Sequence, residues 1–188
     1  MRRLVRPASD ATLKGSRYIL VNDVIIRIET ETDRPMIRQV NEAAFGCADE
    51  ADLVEALRTE GAVLLSVVAE LDRRIVGHIL FSRMSIDTLT GVVAAVALAP
   101  MAVFPRYQRQ GIGGRLIRYG LDALCGLGER VVIVVGHPDY YPRFGFSTGQ
   151  ARSLEHPFPP DVFMALELSA GAFDRIRGRV RYPRAFGL

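Results

Sequence analysis

Cysteine is nearly absent from this chain of 188 residues: Cys47 and Cys125 are the only two. Two cysteines do not build a disulfide framework, so a stapled secreted scaffold is not the reading and two reduced thiols are expected. Lysine is scarcer still. Lys14 stands alone among many arginines, a bias we read as compositional rather than as a site. No apolar run approaches the ~20 residues a membrane-spanning helix needs. The N-terminus has no apolar block followed by a small-residue cleavage site, so the expected location is cytoplasmic. No Cys/His or Asp/Glu grouping has metal-ligand spacing, so no metal is expected. No Gly-x-Ser-x-Gly elbow occurs, which disfavours serine-based acyl transfer. Internal repeats and low-complexity segments are also missing.

What is present begins with unevenly placed charge. Residues 1–22 hold Arg2, Arg3, Arg6, Lys14 and Arg17 against Asp10, a surplus of +4, so the net +3 of the whole leaves −1 for the remainder. A near-neutral body without a basic face interleaved with aromatics does not suit a nucleic-acid binder. Residues 1–22 contain Pro7, Ser9, Gly15 and Ser16 and no sustained period, and are expected to form a basic N-terminal extension. Residues 23–188 are expected to form a single domain, long enough to bury roughly 70% of its surface.

The hydrophobic periods lay out the elements. A first strand runs from Val24 to Ile28; Thr32 or Asp33 caps a helix whose stripe is Met36, Ile37, Val40, Ala44 and Phe45, stopped by Gly46. A second helix spans about Asp49 to Thr59, with Leu53, Val54 and Leu57 inward and acidic residues at its start. Ala62–Glu70 and Arg74–Ser85 read as antiparallel strands, followed after Thr88–Gly91 by a central strand ending at Val103. Ile112, Leu116, Ile117, Leu121 and Leu124 give the next helix, and Val131–Val135 a buried strand. Asp139–Phe144 suits one or two helical turns, Phe146 begins a further strand, and Val162–Leu168 is the last. Between Arg175 and Tyr182, arginines alternate with Ile176 and Val180, as on a solvated edge; a phosphate or acidic-partner patch is the minority reading.

The chemistry concentrates at Gln108-Arg109-Gln110-Gly111-Ile112-Gly113-Gly114, between the central strand and its helix. A helix N-terminus leaves four N–H groups without partners and carries the positive end of the helix dipole. Glycines there let a phosphate or pyrophosphate approach the amides. A Walker loop needs Gly-Lys-Ser/Thr, whereas Gly114 is followed by Arg115-Leu116. A dinucleotide fingerprint needs a third glycine where Leu116 stands. The pattern Gln/Arg-x-x-Gly-x-Gly/Ala is met by Gln108, Gly111 and Gly113.

That pattern, led by Val103-x-Pro105-x-x-Gln108, resembles the coenzyme A pyrophosphate loop of the GNAT acetyltransferase superfamily. A second motif supports the resemblance: Tyr141 lies four residues before Gly145-Phe146 and follows the Val131–Val135 strand, as the family's Tyr-x-x-x-Gly-Phe segment does. The run from Gly136 to Phe146 is similar to a bacterial group of N-acetyltransferases that share no agreed substrate. The likeness covers about residues 24–168. It implies an α/β (α+β) fold of the GNAT type: a central mixed, mostly antiparallel sheet flanked by helices, with a splay between the fourth and fifth strands. It also implies acetyl-CoA as co-substrate, bound by Gln108, Arg109, Gln110, Gly111, Ile112, Gly113 and Gly114, with a backbone N–H near Met101, Ala102 or Val103 receiving the developing oxyanion.

The expected reaction is acetyl transfer to a primary amine, on a small molecule or a protein, by direct attack on the thioester. An amine of pKa ~10.4 costs about 4.6 kcal/mol to deprotonate at pH 7, so the site must lower that pKa or provide a proton exit. Tyr141 is the expected acid for the departing thiolate, and Tyr140 is assigned to packing. Arg109 and Arg115 are candidates for phosphate oxygens, and Arg118 either for the adenosine phosphate or for a solvent-facing position. For the base, Glu42, Glu50, His78, His137 and a water relay all stay open. The alternative function is a non-catalytic acyl-CoA-binding module on the same fold. The acceptor, the acyl preference and the oligomeric state, a homodimer included, are left open.

Overall fold

The computed structural model describes residues 23–174 and 176–188, so the expected basic extension lies outside the described residues. Along the sheet the strands run β1 (Ile25–Ile28), β2 (Val63–Leu71), β3 (Arg74–Thr88), β4 (Gly91–Val103), β5 (Val131–Val135) and β7 (Phe163–Glu167). Neighbours in this row are antiparallel except β4 and β5, which are parallel. The short β6 (Leu154–Glu155) pairs in parallel with β8 (Gly178–Arg181), which in turn runs antiparallel to the far end of β3. This is the expected mixed, mostly antiparallel sheet. Helices α1 (Arg34–Phe45) and α2 (Asp49–Glu60) precede β2; α3 (Ile112–Gly126) links β4 to β5.

Local chemistry explains the boundaries. Arg27 forks onto both carboxylate oxygens of Asp33 at 2.7 and 2.8 Å, and the Thr30 N–H donates to the same carboxylate at 2.7 Å. This fixes the turn into α1, which Gly46 ends at φ 79°. The β2–β3 hairpin turns on Asp72 and Arg73, both left-handed at φ 49° and 61°, the geometry that matches a two-residue hairpin loop to strand twist.

The sheet has two unlike faces. Toward α3 lie Val67, Ile79, Phe81, Val96, Leu98 and Val132, packed with Leu116, Ile117 and Leu124. Gly120 sits where this packing is tightest: a Cβ there would run into the Phe81 ring. Toward α1 and α2 the strands present Val68, Leu80 and Ala102 with Ile37, Val40, Val54 and Leu57. The same side also carries the buried polar groups Asn41, Ser66 and His78.

Two expectations need correction. Phe146 begins no strand: Ser147 makes an isolated bridge to Ala165, and its side chain accepts from the Gln150 N–H, capping the short α4 (Thr148–Ala151). Nor is the strand at Phe163–Glu167 the last, because β8 follows it and pairs with Ser85–Thr88, the part of β3 beyond its contacts with β2. Its arginines are not a free patch: Arg179 pairs with Glu155 at 3.0 Å and Arg181 with Asp87 at 2.7 Å, while Ile176 and Val180 are buried. Among the described residues, no helix is long and apolar enough to cross a membrane.

Candidate active site

β4 and β5 pair at only three positions, Val96–Val132, Ala97–Ile133 and Leu98–Val134. Beyond them the strands part, and the Gly136 N–H goes to the Val162 carbonyl at 2.9 Å instead of to β4. The opening is a cleft of about 1160 Å³. One wall is the end of β4 with the glycine loop, the other is Val135–His137 with Tyr140, Tyr141 and Phe144, and α1 and α2 contribute Phe45, Glu50 and Leu53. A smaller hollow of about 650 Å³ lies elsewhere, between α1 and the start of β3, and holds none of the glycine-loop residues.

The end of β4 presents its amides to this cleft. The Phe104 N–H bonds the Val76 carbonyl at 2.9 Å on β3, and His78 faces Ala102 in the same ladder. Antiparallel pairing alternates, so the N–H groups of Met101 and Val103 point away from β3 into the opening. The carbonyl of Val103 points there too and accepts from Gln108 Nε2 at 3.0 Å. Gln108 thus ties the strand end to the loop.

α3 starts without a side-chain cap: its N-cap is Gly111 at φ 84°, and the first intrahelical bond is from the Arg115 N–H to the Gly111 carbonyl at 3.1 Å. Arg109 is also left-handed, at φ 59°. The amides of Ile112, Gly113 and Gly114 precede that bond and therefore lack intrahelical acceptors. With the helix dipole they make a concentrated positive end facing the cleft.

Of the expected residues, Met101, Ala102, Val103, Gln108, Arg109, Gly111, Ile112, Gly113, Gly114 and Tyr141 line this one cleft. Gln110 does not; its side chain donates to the Arg106 carbonyl at 3.1 Å on the exposed side of the loop. Arg115 also turns elsewhere, donating to the Val24 carbonyl at 2.6 Å, whereas Arg118 lines the cleft over the Phe144 ring at 5.3 Å.

Tyr141 is 8% exposed, edge-on to Phe146 at 5.8 Å and to Tyr140 at 5.2 Å. Its ring lies where a Cβ on Gly136 would stand, so the glycine that ends β5 makes the space for it. Burial, and then the neighbouring Tyr140, push its pKa above the ordinary phenol value and keep it protonated. Tyr140, expected only to pack, is half-buried and lines the cleft, with its own pKa raised by burial. No motif spacing marked it.

The base candidates separate. His78 is fully buried under α1, away from the cleft. Asn41 Nδ2 donates to the Ile37 carbonyl at 2.9 Å and reaches His78 Nδ1 at 3.1 Å. Nδ1 is then the acceptor, so Nε2–H donates to Ser66 Oγ at 2.9 Å, and the Ser66 hydroxyl donates to Glu29. Glu29 in turn pairs with Arg58 at 2.7 Å. Burial, with the nearby Arg58, pushes the His78 pKa down to about 3, so it is neutral and fully committed. Glu42 pairs with Arg38 at 2.8 Å and is not among the cleft residues. Glu50 and His137 do line it.

Comparison with known proteins agrees with this geometry. The family model described as "Acetyltransferase (GNAT) domain" matches residues 63–148. The N-acetyltransferase YjhQ of Escherichia coli K12 is 41% identical over 67% of this chain and 71% of its own length. The solved structure of the GNAT family N-acetyltransferase YhbS from E. coli, in complex with CoA, superposes with a TM-score of 0.81 at 31% identity, covering 88% of this chain and 93% of that one. A GNAT family acetyltransferase from Brucella melitensis, in complex with acetyl-CoA, gives 0.73 at 38% identity, over 87% and 97% of the two chains.

Proposed function

We infer the reaction from the chain's family: it belongs to the GNAT N-acetyltransferases and is an acetyl-CoA-dependent enzyme. In our reading the acetyl group passes in the β4–β5 cleft to a primary amine, by direct attack. The observation that carries this reading is the uncapped start of α3, whose amides open onto the same cleft as a buried tyrosine. Diphosphate oxygens satisfy those donors, and the acetyl thioester then extends between the parted strands.

The amine nitrogen attacks the thioester carbon. Negative charge builds on the carbonyl oxygen, and the Met101 or Val103 N–H receives it; such a donor is worth roughly 3–4 kcal/mol. The tetrahedral centre collapses with rupture of the C–S bond. Tyr141, kept protonated by burial, donates to the leaving sulfur as its charge develops. The proton lost by the amine leaves through Glu50, His137 or water.

Glu50 marks the acceptor end. Its neighbour Asp52 is held by Arg38 at 2.7 Å and Glu55 by Arg58, while among the described residues Glu50 has only the thiol of Cys47 at 3.5 Å. Its carboxylate is therefore available to draw an ammonium group into the cleft. The acceptor is thus a cationic amine, on a small molecule or a protein. Free, exposed Cys47 and Cys125 suit a reducing, cytoplasmic location.

The test is thiol release from acetyl-CoA with panels of amines and peptides, repeated with Tyr141→Phe. We expect acetylation of at least one amine and a fall in kcat of ~100-fold or more for the variant. Unchanged turnover in Tyr141→Phe removes its role as acid. Absence of thiol release with every acceptor sinks the amine reading.

A further inference from the structure

Two adjacent tyrosines enter the cleft from one turn, but their surroundings differ. Tyr141 is packed against the end of β5, at Gly136 and Phe146. Tyr140 reaches across to the opposite wall. Its hydroxyl oxygen lies 2.7 Å from the point where a Cβ on Gly113 would stand, beside Met101 Sδ at 3.4 Å from the same point. Gly113 is the second residue of α3, and its N–H is one of the donors left over at the helix start.

The Tyr140 ring is held from several sides. The Arg143 guanidinium lies over it at 4.3 Å and its Nε donates to the Tyr140 carbonyl at 3.1 Å. Tyr141 meets it edge-on at 5.2 Å and Phe144 at 5.5 Å. The hydroxyl itself bonds to no group among the described residues. A phenol O–H thus lies beside a residue whose amide has no intrahelical acceptor, and two donors left over on neighbouring residues of one cleft suit a ligand oxygen.

We propose that Tyr140 is a coenzyme-binding residue, donating from its hydroxyl to a diphosphate oxygen held over Gly113. This divides the pair: Tyr140 binds the carrier, and Tyr141 serves the reacting sulfur. The proposal rests on the coenzyme reading of the cleft, and its test is made on binding alone so that the two fail separately. Titration calorimetry with CoA is run on the wild type, Tyr140→Phe and Tyr141→Phe, with thermal unfolding as the check on folding. Tyr140→Phe keeps the ring and its packing, and its Kd for CoA should rise ~10-fold or more, as for loss of a bond to a charged group. Tyr141→Phe should bind CoA as the wild type does.

A second pair of variants tests the geometry. Gly113→Ala directs a methyl at the Tyr140 hydroxyl, so its penalty on CoA binding should shrink in the Tyr140→Phe background. Equal penalties in both backgrounds, or wild-type Kd in Tyr140→Phe, overturn the assignment. A loss of kcat in Tyr140→Phe with unchanged Kd also overturns it, because the residue is then the acid. Wild-type protein that takes up no CoA refutes the coenzyme reading itself.

Discussion

The two faces of the sheet use polar groups in opposite ways. Toward α1 and α2, Asn41, His78, Ser66, Glu29 and Arg58 form a chain in which each member bonds its neighbour, with only Asn41 Oδ1 and Arg58 Nε of its buried atoms left over among the described residues. Toward α3 the packed side chains are apolar, and the unsatisfied donors belong to the backbone at the start of the helix. His78, one of the base candidates read from the sequence, is therefore held in the packing, while the open donors are amides that no residue type advertises. A buried polar group with its bonds made specifies a fold; a donor left open at a cleft is available to a ligand.

This contrast can be broken from either side. The largest effect is expected at the open donors: Gly113→Glu places an anion where the diphosphate should sit, and CoA affinity measured by calorimetry should fall more than ~100-fold with the fold retained. On the other face, His78→Leu leaves Ser66 and Asn41 without their partner. Chemical denaturation should then show a loss of about 2–3 kcal/mol, with CoA affinity unchanged. Gly120→Ala tests the apolar packing against Phe81; overpacking offset by better helix propensity should leave a net loss of about 1–2 kcal/mol, read from the denaturation midpoint.

Taken per pH unit, the smallest effect is a titration. His78 is held down to about 3 in the folded protein, whereas the unfolded chain takes up that proton near ~6.5. Between those values the unfolded state binds more protons, so stability is complete above about pH 6.5 and falls as pH drops below it. The slope from this residue is at most ~1.4 kcal/mol per pH unit. Denaturation curves of wild type and His78→Gln should differ in slope by that amount below pH 6, and parallel curves would show that His78 is not the group responsible.

Much of this was legible in the chain. Glycine punctuation marked the end of α1 at Gly46 and the loop before α3, and the two motifs placed Tyr141 on the cleft that holds the loop. Periodicity also placed His78 in a strand, but it does not say what covers a strand, and only the packing of α1 reveals Asn41 above it. The approach of Tyr140 to Gly113 has no sign in the sequence, because the two are far apart along the chain and adjacent only once α3 and the β5 turn are folded. The error at Phe146 had a readable remedy: Ser147 followed three residues on by Gln150 is a helix-start signature, and Ser147 does cap α4. The pairing of β8 had none, since alternation announces an edge but not the strand beside it.

The three-rung ladder joining β4 to β5 has a mechanical consequence. So short a seam leaves little main-chain restraint where the strands part, and a guest lodged there acts as a keystone between β1–β4 and the β5–β7 pair. Deuterium uptake at Val134 and Val135 should therefore slow when CoA is added, while amides at the β2–β3 centre, such as Val67 and Ile79, keep their pace.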